Sequence, residues 1–486
     1  MDRILARLLG GLLCLAVILP PPVNVPFGPS LPLVSIAHAD DDDDGGGDGD
    51  DDDDDGGGGR SDRGGSGGSG DRTPSRQSGF TLFPFLQSPR QAPVRRAAPA
   101  AIPDRVPNEI IAAGLPEAAI TQLTTEGYRV AERQSLALLA PEPVGEPANQ
   151  PATEIVRLVV PRGTGLEAAR ARVTALAPVA EVDFNHYYRP EQTETAPDCG
   201  GQSCALVREI IGWPLDPAGL VQRCGSLPKI GLIDTAINPA HPSLDKARLE
   251  VIRISDDALP QSGRQHGTAV AALLVGAAGS RAPGLLPSSD LIAVDAFRRL
   301  GGSADVASTF DLVRALDALS SRNVRVINLS LAGPDNVLLK KTVEAMIARG
   351  AILVAAVGNA GPRAKPLYPS GYEGVIAVTA VDRGRNPYRR ANRGEHVDIA
   401  APGVNVWTAA SISGARPKSG TSFAAPFVSA AAAVLLAERP DLTPAQMAEA
   451  LSLLAQDIGA PGRDQVFGWG LLDARRLCTA EASAAP

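Results

Sequence analysis

Aromatic residues, histidine and cysteine are all scarce in this sequence. Aromatics make up 4% of its 486 residues, and there are five histidines and five cysteines. The scarcity of histidine makes each one worth tracing, because imidazole alone among side chains ordinarily titrates near neutral pH. A surplus of positive charge is also missing. The net charge is −8, and twelve of the 54 acidic residues fall between Asp40 and Asp55. Setting aside that tract and the first 39 residues leaves 44 basic against 41 acidic residues. A remainder so close to neutral argues against nucleic acid as the main partner. What the chain has in excess is 50 Gly and 42 Pro beside 44% apolar residues, which suggests folded and unfolded segments in one chain. Its length allows about two to four domains.

Near the start, Arg3 and Arg7 precede an apolar run over residues 8–19, then prolines at 20–22 and Ala37-His38-Ala39. Twelve apolar residues are too few to span a bilayer. A positive start, a short apolar run and a small-residue cleavage site read as a secretory signal over residues 1–39. The chain is then expected to be periplasmic or extracellular, meeting the membrane only during export; the other reading is an uncleaved interfacial anchor. Leu13 before Cys14 is not the small residue that lipidation requires. Export leaves Cys199, Cys204, Cys224 and Cys478, an even number that favours two disulfides with three connectivities open. Four unrelated thiols remain the alternative, since the chain is not disulfide-dense.

Residues 40–105 are Asp/Gly repeats, then Gly/Ser with scattered Arg, then a Pro/Arg/Ala stretch, and cannot bury enough apolar surface to offset chain entropy. Poly-Asp invites a calcium reading, but the tract lacks the regularly spaced apolar residue of calcium-binding β-roll repeats. No cofactor is expected; calcium is possible and not readable. Residues 106–190 show three strand-like runs, beginning near Asn108, Ile155 and Ala180, interleaved with two helical patterns. This is the signature of a small α/β sandwich. Residues 200–478 alternate mostly apolar strands with helices, as in a parallel sheet covered on both faces, where the chemistry lies beyond the carboxyl ends of the strands.

The strand Ile230-Gly231-Leu232-Ile233 ends in Asp234, and His266 opens the apolar helix His266-Gly267-Thr268-Ala269-Val270. A lone histidine before a helix is more often a cap. Its company changes that: Asp234-Thr235-Ala236 with His241-Pro242-Ser243-Leu244, then His266-Gly267-Thr268, then Gly420-Thr421-Ser422-Phe423-Ala424-Ala425-Pro426. In that order the three segments resemble the subtilisin-like serine proteases, or subtilases, and Gly468-Trp469-Gly470-Leu471-Leu472 extends the likeness. The resemblance implies a three-layer, doubly wound, mostly parallel sheet. It makes the preceding small α+β, ferredoxin-like unit an inhibitory propeptide that occupies the cleft.

The chemistry needs these residue types with or without a family. A serine hydroxyl is a poor nucleophile until an imidazole takes its proton, and the imidazole needs a carboxylate on its other nitrogen. Ser422 is therefore the expected nucleophile, His266 the base and then acid, and Asp234 the orienting carboxylate. The first amides of the helix after Ser422 favour anionic charge. Val357-Gly358-Asn359-Ala360-Gly361 resembles the family's oxyanion segment, so the Asn359 amide should act with the Ser422 N–H; alone, it would read as a turn. Ser330, Leu331, Ala332 and Gly333 resemble the strand that pairs with extended substrate, and residues 355–357 are expected to help wall the first specificity pocket. Self-cleavage is expected near residues 185–190; a cut after Tyr188 would make that pocket accept aromatics. Two departures from the family stand out. Ala236 replaces a more usual Gly, and the short charged stretch with Arg363 and Lys365 puts the usual calcium sites in doubt. Polypeptides and the chain's own propeptide are the expected partners. A catalytically silent binding protein is disfavoured by the intact set of four, and a transpeptidase on the same scaffold is not separable by sequence.

Overall fold

The computed structural model describes residues 102–139, 153–191, 207–214, 224–254, 259–302 and 304–477, all within one unit, Arg95–Pro486. The expected signal, all but the last residues of the Asp/Gly/Ser/Pro-rich segment, and Cys14, Cys199, Cys204 and Cys478 lie outside the described residues.

The first part runs β1 (Arg105–Ala113), α1 (Glu117–Thr125), β2 (Arg129–Leu136), β3 (Thr153–Val159), α2 (Leu166–Leu176) and β4 (Glu181–Pro190). Its strands form an antiparallel sheet in the order β2-β3-β1-β4. Ile110, Ala112, Val156 and Leu158 meet Ile120 and Leu123 of α1 and Val173 of α2 on one face. Because side chains alternate along a strand, Ile111, Ala113 and Ile155 emerge on the other face, against Phe310, Val313 and Leu338. The sequence pattern shows three strands here and the structure has four. The additional β2, RVAERQSL, is an edge strand with only Leu136 buried, so it lacks the apolar alternation that marks a strand.

The second part runs β5 (Ile230–Asp234), β6 (Arg248–Arg253), α3 (Gln265–Val275), β7 (Asp290–Asp295), β8 (Arg298–Leu300), β9 (Ala304–Ser308), α4 (Thr309–Ser320), β10 (Val326–Leu329), β11 (Leu331–Ala332), α5 (Val337–Ala348), β12 (Ile352–Ala356), β13 (Ile376–Val381), β14 (Ile399–Pro402), β15 (Val406–Ala409), β16 (Ala415–Lys418), α6 (Ala425–Glu438), α7 (Pro444–Leu454), β17 (Ala455–Gln456) and β18 (Leu471–Leu472). Nine strands form one sheet, β17-β18-β14-β13-β12-β10-β5-β7-β6. Every neighbouring pair is parallel except β17 with β18.

Its central strands are apolar at nearly every position because both faces are covered. Ile230, Leu232, Val326 and Val354 pack with α3 and α6, whereas Ile233, Ile327, Leu329 and Leu353 pack with α4 and α5. Helix α6 has six Ala among its fourteen residues and packs against the central strands. The segment Thr421–Glu438 is long and apolar enough to cross a membrane, but 89% of it is buried in the protein, as befits a core helix.

The two parts are joined through β4. Its last residues run antiparallel to β9, with Tyr187 opposite Ser308 and Tyr188 opposite Ala307. On their other side they run antiparallel to β11, with Arg189 opposite Ala332 and Pro190 opposite Leu331. Held between two strands of the second part, β4 delivers Glu191 to the place where Asp234, Ser330 and Asn359 leave the sheet.

Candidate active site

Asp234 is the last residue of β5, and His266 is the second of α3. The two elements approach closely because residue 267 is glycine: a Cβ there would lie 2.3 Å from the Thr235 carbonyl oxygen. Gly267 N–H instead donates to Thr235 Oγ1 at 2.9 Å. His266 Nδ1 and Asp234 Oδ1 are 2.6 Å apart, and Thr235 N–H donates to the same carboxylate oxygen at 2.7 Å. Both side chains are buried. A carboxylate on Nδ1 favours the tautomer that leaves the Nε2 lone pair free. Among the described residues Nε2 has no hydrogen-bond partner.

Ser422 lies in a single 3₁₀ turn, Thr421–Phe423, just ahead of α6, whose first turn contains Pro426. Its Oγ donates to the carbonyl oxygen of Glu191 at 2.6 Å and to that of Ser330 at 3.1 Å. The Phe423 ring packs 5.5 Å from the His266 ring. Asn359 follows β12, and its Oδ1 accepts from Thr421 N–H at 3.1 Å and Thr421 Oγ1 at 3.0 Å. Those two donors orient the amide, so that Nδ2 donates to the Glu191 carbonyl oxygen at 2.9 Å.

The stretch expected to pair with substrate is in contact with the same segment. Ser330 O accepts from Glu191 N–H at 3.3 Å, and Leu331 and Ala332 pair with Pro190 and Arg189. Gly333 lies under the ring of Tyr188, where a Cβ would be 2.4 Å from Cδ1. Tyr188 itself is fully buried and donates its hydroxyl to Pro334 O at 2.8 Å.

The sequence left the bond near residues 185–190 open; the carbonyl next to Ser422 is that of Glu191, because β4 stays paired through Pro190 and first reaches the serine at Glu191. One expectation is corrected here. Ala355 and Val357 pack into the two cores. The cleft beside Glu191, a cavity of about 620 Å³, is lined instead by Ala332, Gly333, Ala360, Lys365, Leu367 and Tyr368.

Sequence reasoning missed Glu191 and a buried network behind Ser422. Ser429 Oγ donates to Asn328 Oδ1 at 2.9 Å, Asn328 Nδ2 to Ser330 Oγ at 2.8 Å, and Ser330 Oγ to the Ser422 carbonyl at 2.9 Å. The available signal was a lone polar residue in an otherwise apolar strand, Val326-Ile327-Asn328-Leu329. His241 has a structural part. It accepts from Ser243 N–H at 3.0 Å through Nδ1 and pairs with Gly414 O at 3.1 Å through Nε2, and burial pushes its pKa down. Ala236 is buried, and its N–H donates to Ser262 Oγ at 2.9 Å. Cys224 is disulfide-bonded. Among the described residues no three His, Cys, Asp or Glu side chains gather as a metal site.

Glu191 carries the main electrostatic tension. Enclosure of its carboxyl group raises its pKa, opposed by the Asn359 N–H at 2.6 Å from Oε2 and by His266, Arg189 and Arg390.

The model of the "Subtilase family" of peptidases matches residues 225–470, a span that holds Asp234, His266, Asn359 and Ser422. The chain belongs to the subtilase family. It is a serine-type endopeptidase by that membership. Over 256 residues this subtilase is 33% identical to subtilisin DY of Bacillus licheniformis, a match covering 51% of this chain and 92% of that one. Over 252 residues it is 31% identical to subtilisin Savinase of Lederbergia lenta, covering 51% and 90%. Among solved structures, fervidolysin of Fervidobacterium pennivorans, described as a keratinolytic enzyme related to subtilisin, matches with a TM-score of 0.62 at 20% identity. That likeness covers 79% of this subtilase and 62% of the fervidolysin chain, and concerns the fold.

Proposed function

We propose that this subtilase is an exported endopeptidase made as a zymogen, with Ser422, His266, Asp234 and Asn359 as its machinery. The first part, β1 to β4, is its inhibitory propeptide. The observation that carries the reading is the Glu191 carbonyl oxygen, which accepts from both Ser422 Oγ and Asn359 Nδ2. A hydroxyl and an amide aimed at one carbonyl form the arrangement in which an acyl group is attacked and its oxyanion received.

In the reaction, Ser422 Oγ turns its hydrogen bond from the carbonyl oxygen to His266 Nε2 and adds to the carbonyl carbon. The proton passes to His266, whose positive charge is stabilised by Asp234 at Nδ1. Charge on the former carbonyl oxygen is received by Asn359 Nδ2. His266 then gives its proton to the leaving amine, and water resolves the ester by the same steps in reverse order. The Ser429–Asn328–Ser330 chain of hydrogen bonds holds the Ser422 backbone, which positions Oγ.

The export reading rests on the N-terminal pattern and accords with the disulfide at Cys224. The test is expression of wild type and Ser422→Ala, with mass analysis of the chain and of a mixed peptide library. Wild type is expected to process itself and to cut peptides with addition of water, and Ser422→Ala to do neither. Equal behaviour of the two overturns the reading, and products lacking added water indicate acyl transfer to an amine.

A further inference from the structure

Glu191 brings a carboxyl group to the serine nucleophile. Glu191 lines the 620 Å³ cavity together with Lys365. Its Oε2 accepts from the backbone N–H of Asn359 at 2.6 Å. One residue therefore grips Glu191 twice, its side-chain amide on the carbonyl oxygen and its backbone N–H on the carboxyl. The second grip supplies a fixed donor to any side chain with an oxygen acceptor at the ε position, as Glu and Gln have. Upstream, the register is fixed by the β9 and β11 pairings and by the buried Tyr188, whose hydroxyl is satisfied by Pro334 O.

We propose that the protein cuts its own chain on the carboxyl side of Glu191, and that it is selective for Glu or Gln before the bond. The proposal rests on the protease reading above and adds the bond and the substrate class. Ser422 Oγ bonds to the Glu191 carbonyl carbon as the C–N bond to Gln192 breaks. The serine proton ends on the Gln192 amine by way of His266, and water releases the Glu191 carboxylate and restores the serine hydroxyl.

The selectivity has a physical source at Glu191, and the buried Tyr188 gives the same assay a reference contact. Replacing Glu191 by an apolar residue leaves a buried N–H without its acceptor, a loss corresponding to about tenfold in rate. Glutamine keeps the acceptor and removes the charge. Truncating the aromatic empties a fully enclosed site and is expected to cost about a hundredfold or more.

The experiment has two arms. Full-length wild type and Ser422→Ala are expressed, and the C-terminus of any released N-terminal fragment is determined by mass. Self-processed enzyme is then assayed on the acetylated peptide Tyr-Arg-Pro-Glu-Gln-Thr-Glu and on versions with Gln or Leu for the fourth residue or Ala for the first. Expected are a fragment ending at Glu191 in wild type only and cleavage after Glu and after Gln. The Leu peptide should be about tenfold poorer than the Gln peptide, and the Ala peptide about a hundredfold poorer than its parent. A fragment ending elsewhere, or a Leu peptide cut as well as the Gln peptide, overturns the proposal while Ser422-dependent cleavage keeps the protease reading. Absence of any Ser422-dependent cleavage overturns both.

Discussion

Asn359 Nδ2 and Ser422 Oγ donate to one oxygen, the carbonyl of Glu191, at 2.9 and 2.6 Å. In the proposed reaction the first is a donor that stays in place as charge builds on that oxygen, and the second is the group that attacks. Replacing Asn359 by Ala removes the donor and also the acceptor for Thr421 N–H and Oγ1. The expected outcome is a fall in kcat of about 10²–10³ with KM changed much less, a magnitude established in subtilisin, a relative. Steady-state kinetics on a peptide substrate test this, with a thermal melt to show that the variant folds. A loss carried by KM alone would mean that Asn359 only binds.

His266 is held by Asp234 at Nδ1, and in the proposed mechanism the carboxylate does two jobs: it selects the tautomer and it stabilises the imidazolium. Asp234→Asn keeps the shape and can keep a hydrogen bond, but it removes the charge and admits the wrong tautomer. We expect kcat to fall by about 10⁴, on the scale of the same change in another serine protease. The fold should survive, because Thr235 N–H can still donate to the Asn side-chain oxygen. A loss below about tenfold, measured on folded protein, would remove Asp234 from the mechanism.

The candidate constellation was legible in the sequence because each of its members ends or begins an element. Asp234 closes an apolar strand, His266 opens an apolar helix, and Ser422 precedes an Ala-rich helix, so the order of elements brings the three together. Ser330, Leu331, Ala332 and Gly333 could be read as a substrate strand for a similar reason. Glu191 was not legible, since nothing in Tyr188-Arg189-Pro190-Glu191 marks which carbonyl meets the serine. That is decided by the register of β4 between β9 and β11, a pairing between segments more than a hundred residues apart in sequence. Strand β2 was missed because an exposed edge strand needs no apolar alternation. The Asn328 network was missed because a buried polar residue declares itself only when its partners are known.

Gly333 and Tyr188 give a prediction that separates binding from chemistry. A methyl group at residue 333 would sit 2.4 Å from the Tyr188 ring, whereas the backbone of Gly333 would keep both of its hydrogen bonds with Tyr368. Gly333→Ala should therefore slow self-processing and lower kcat/KM for peptides with an aromatic at that position by about tenfold. Peptides with Ala there should be cut within about twofold of the wild-type rate, because the added methyl meets no ring. An equal loss on both kinds of peptide would place the effect of Gly333 on catalysis rather than on the pocket.

The raised pKa of Glu191 makes docking of its side chain pH-dependent, with a definite sign. The groups facing it are the Asn359 N–H, His266 from α3, Arg189 from β4 and Arg390 from the segment after β13, while Asp104, Asp335 and Lys365 line the same cleft. Enclosure outweighs the attractive groups, so the docked carboxyl holds its proton more tightly than a free glutamate, whose ordinary value is 4.5. Below that value both docked and undocked forms are protonated and docking is strongest. As pH rises through 4.5 the undocked form ionises first, and docking weakens until the pH passes the raised pKa, above which the penalty is constant. Glu191→Gln carries no such penalty but keeps an acceptor for Asn359. The ratio of self-processing rates, Glu191→Gln over wild type, should thus rise with pH from 4.5 upward and then level off. Rapid mixing of chains held reversibly inactive, followed by gel analysis across that range, measures the ratio. A ratio that falls with pH would mean that the cleft prefers the charged carboxylate, with Arg189 and Arg390 outweighing enclosure.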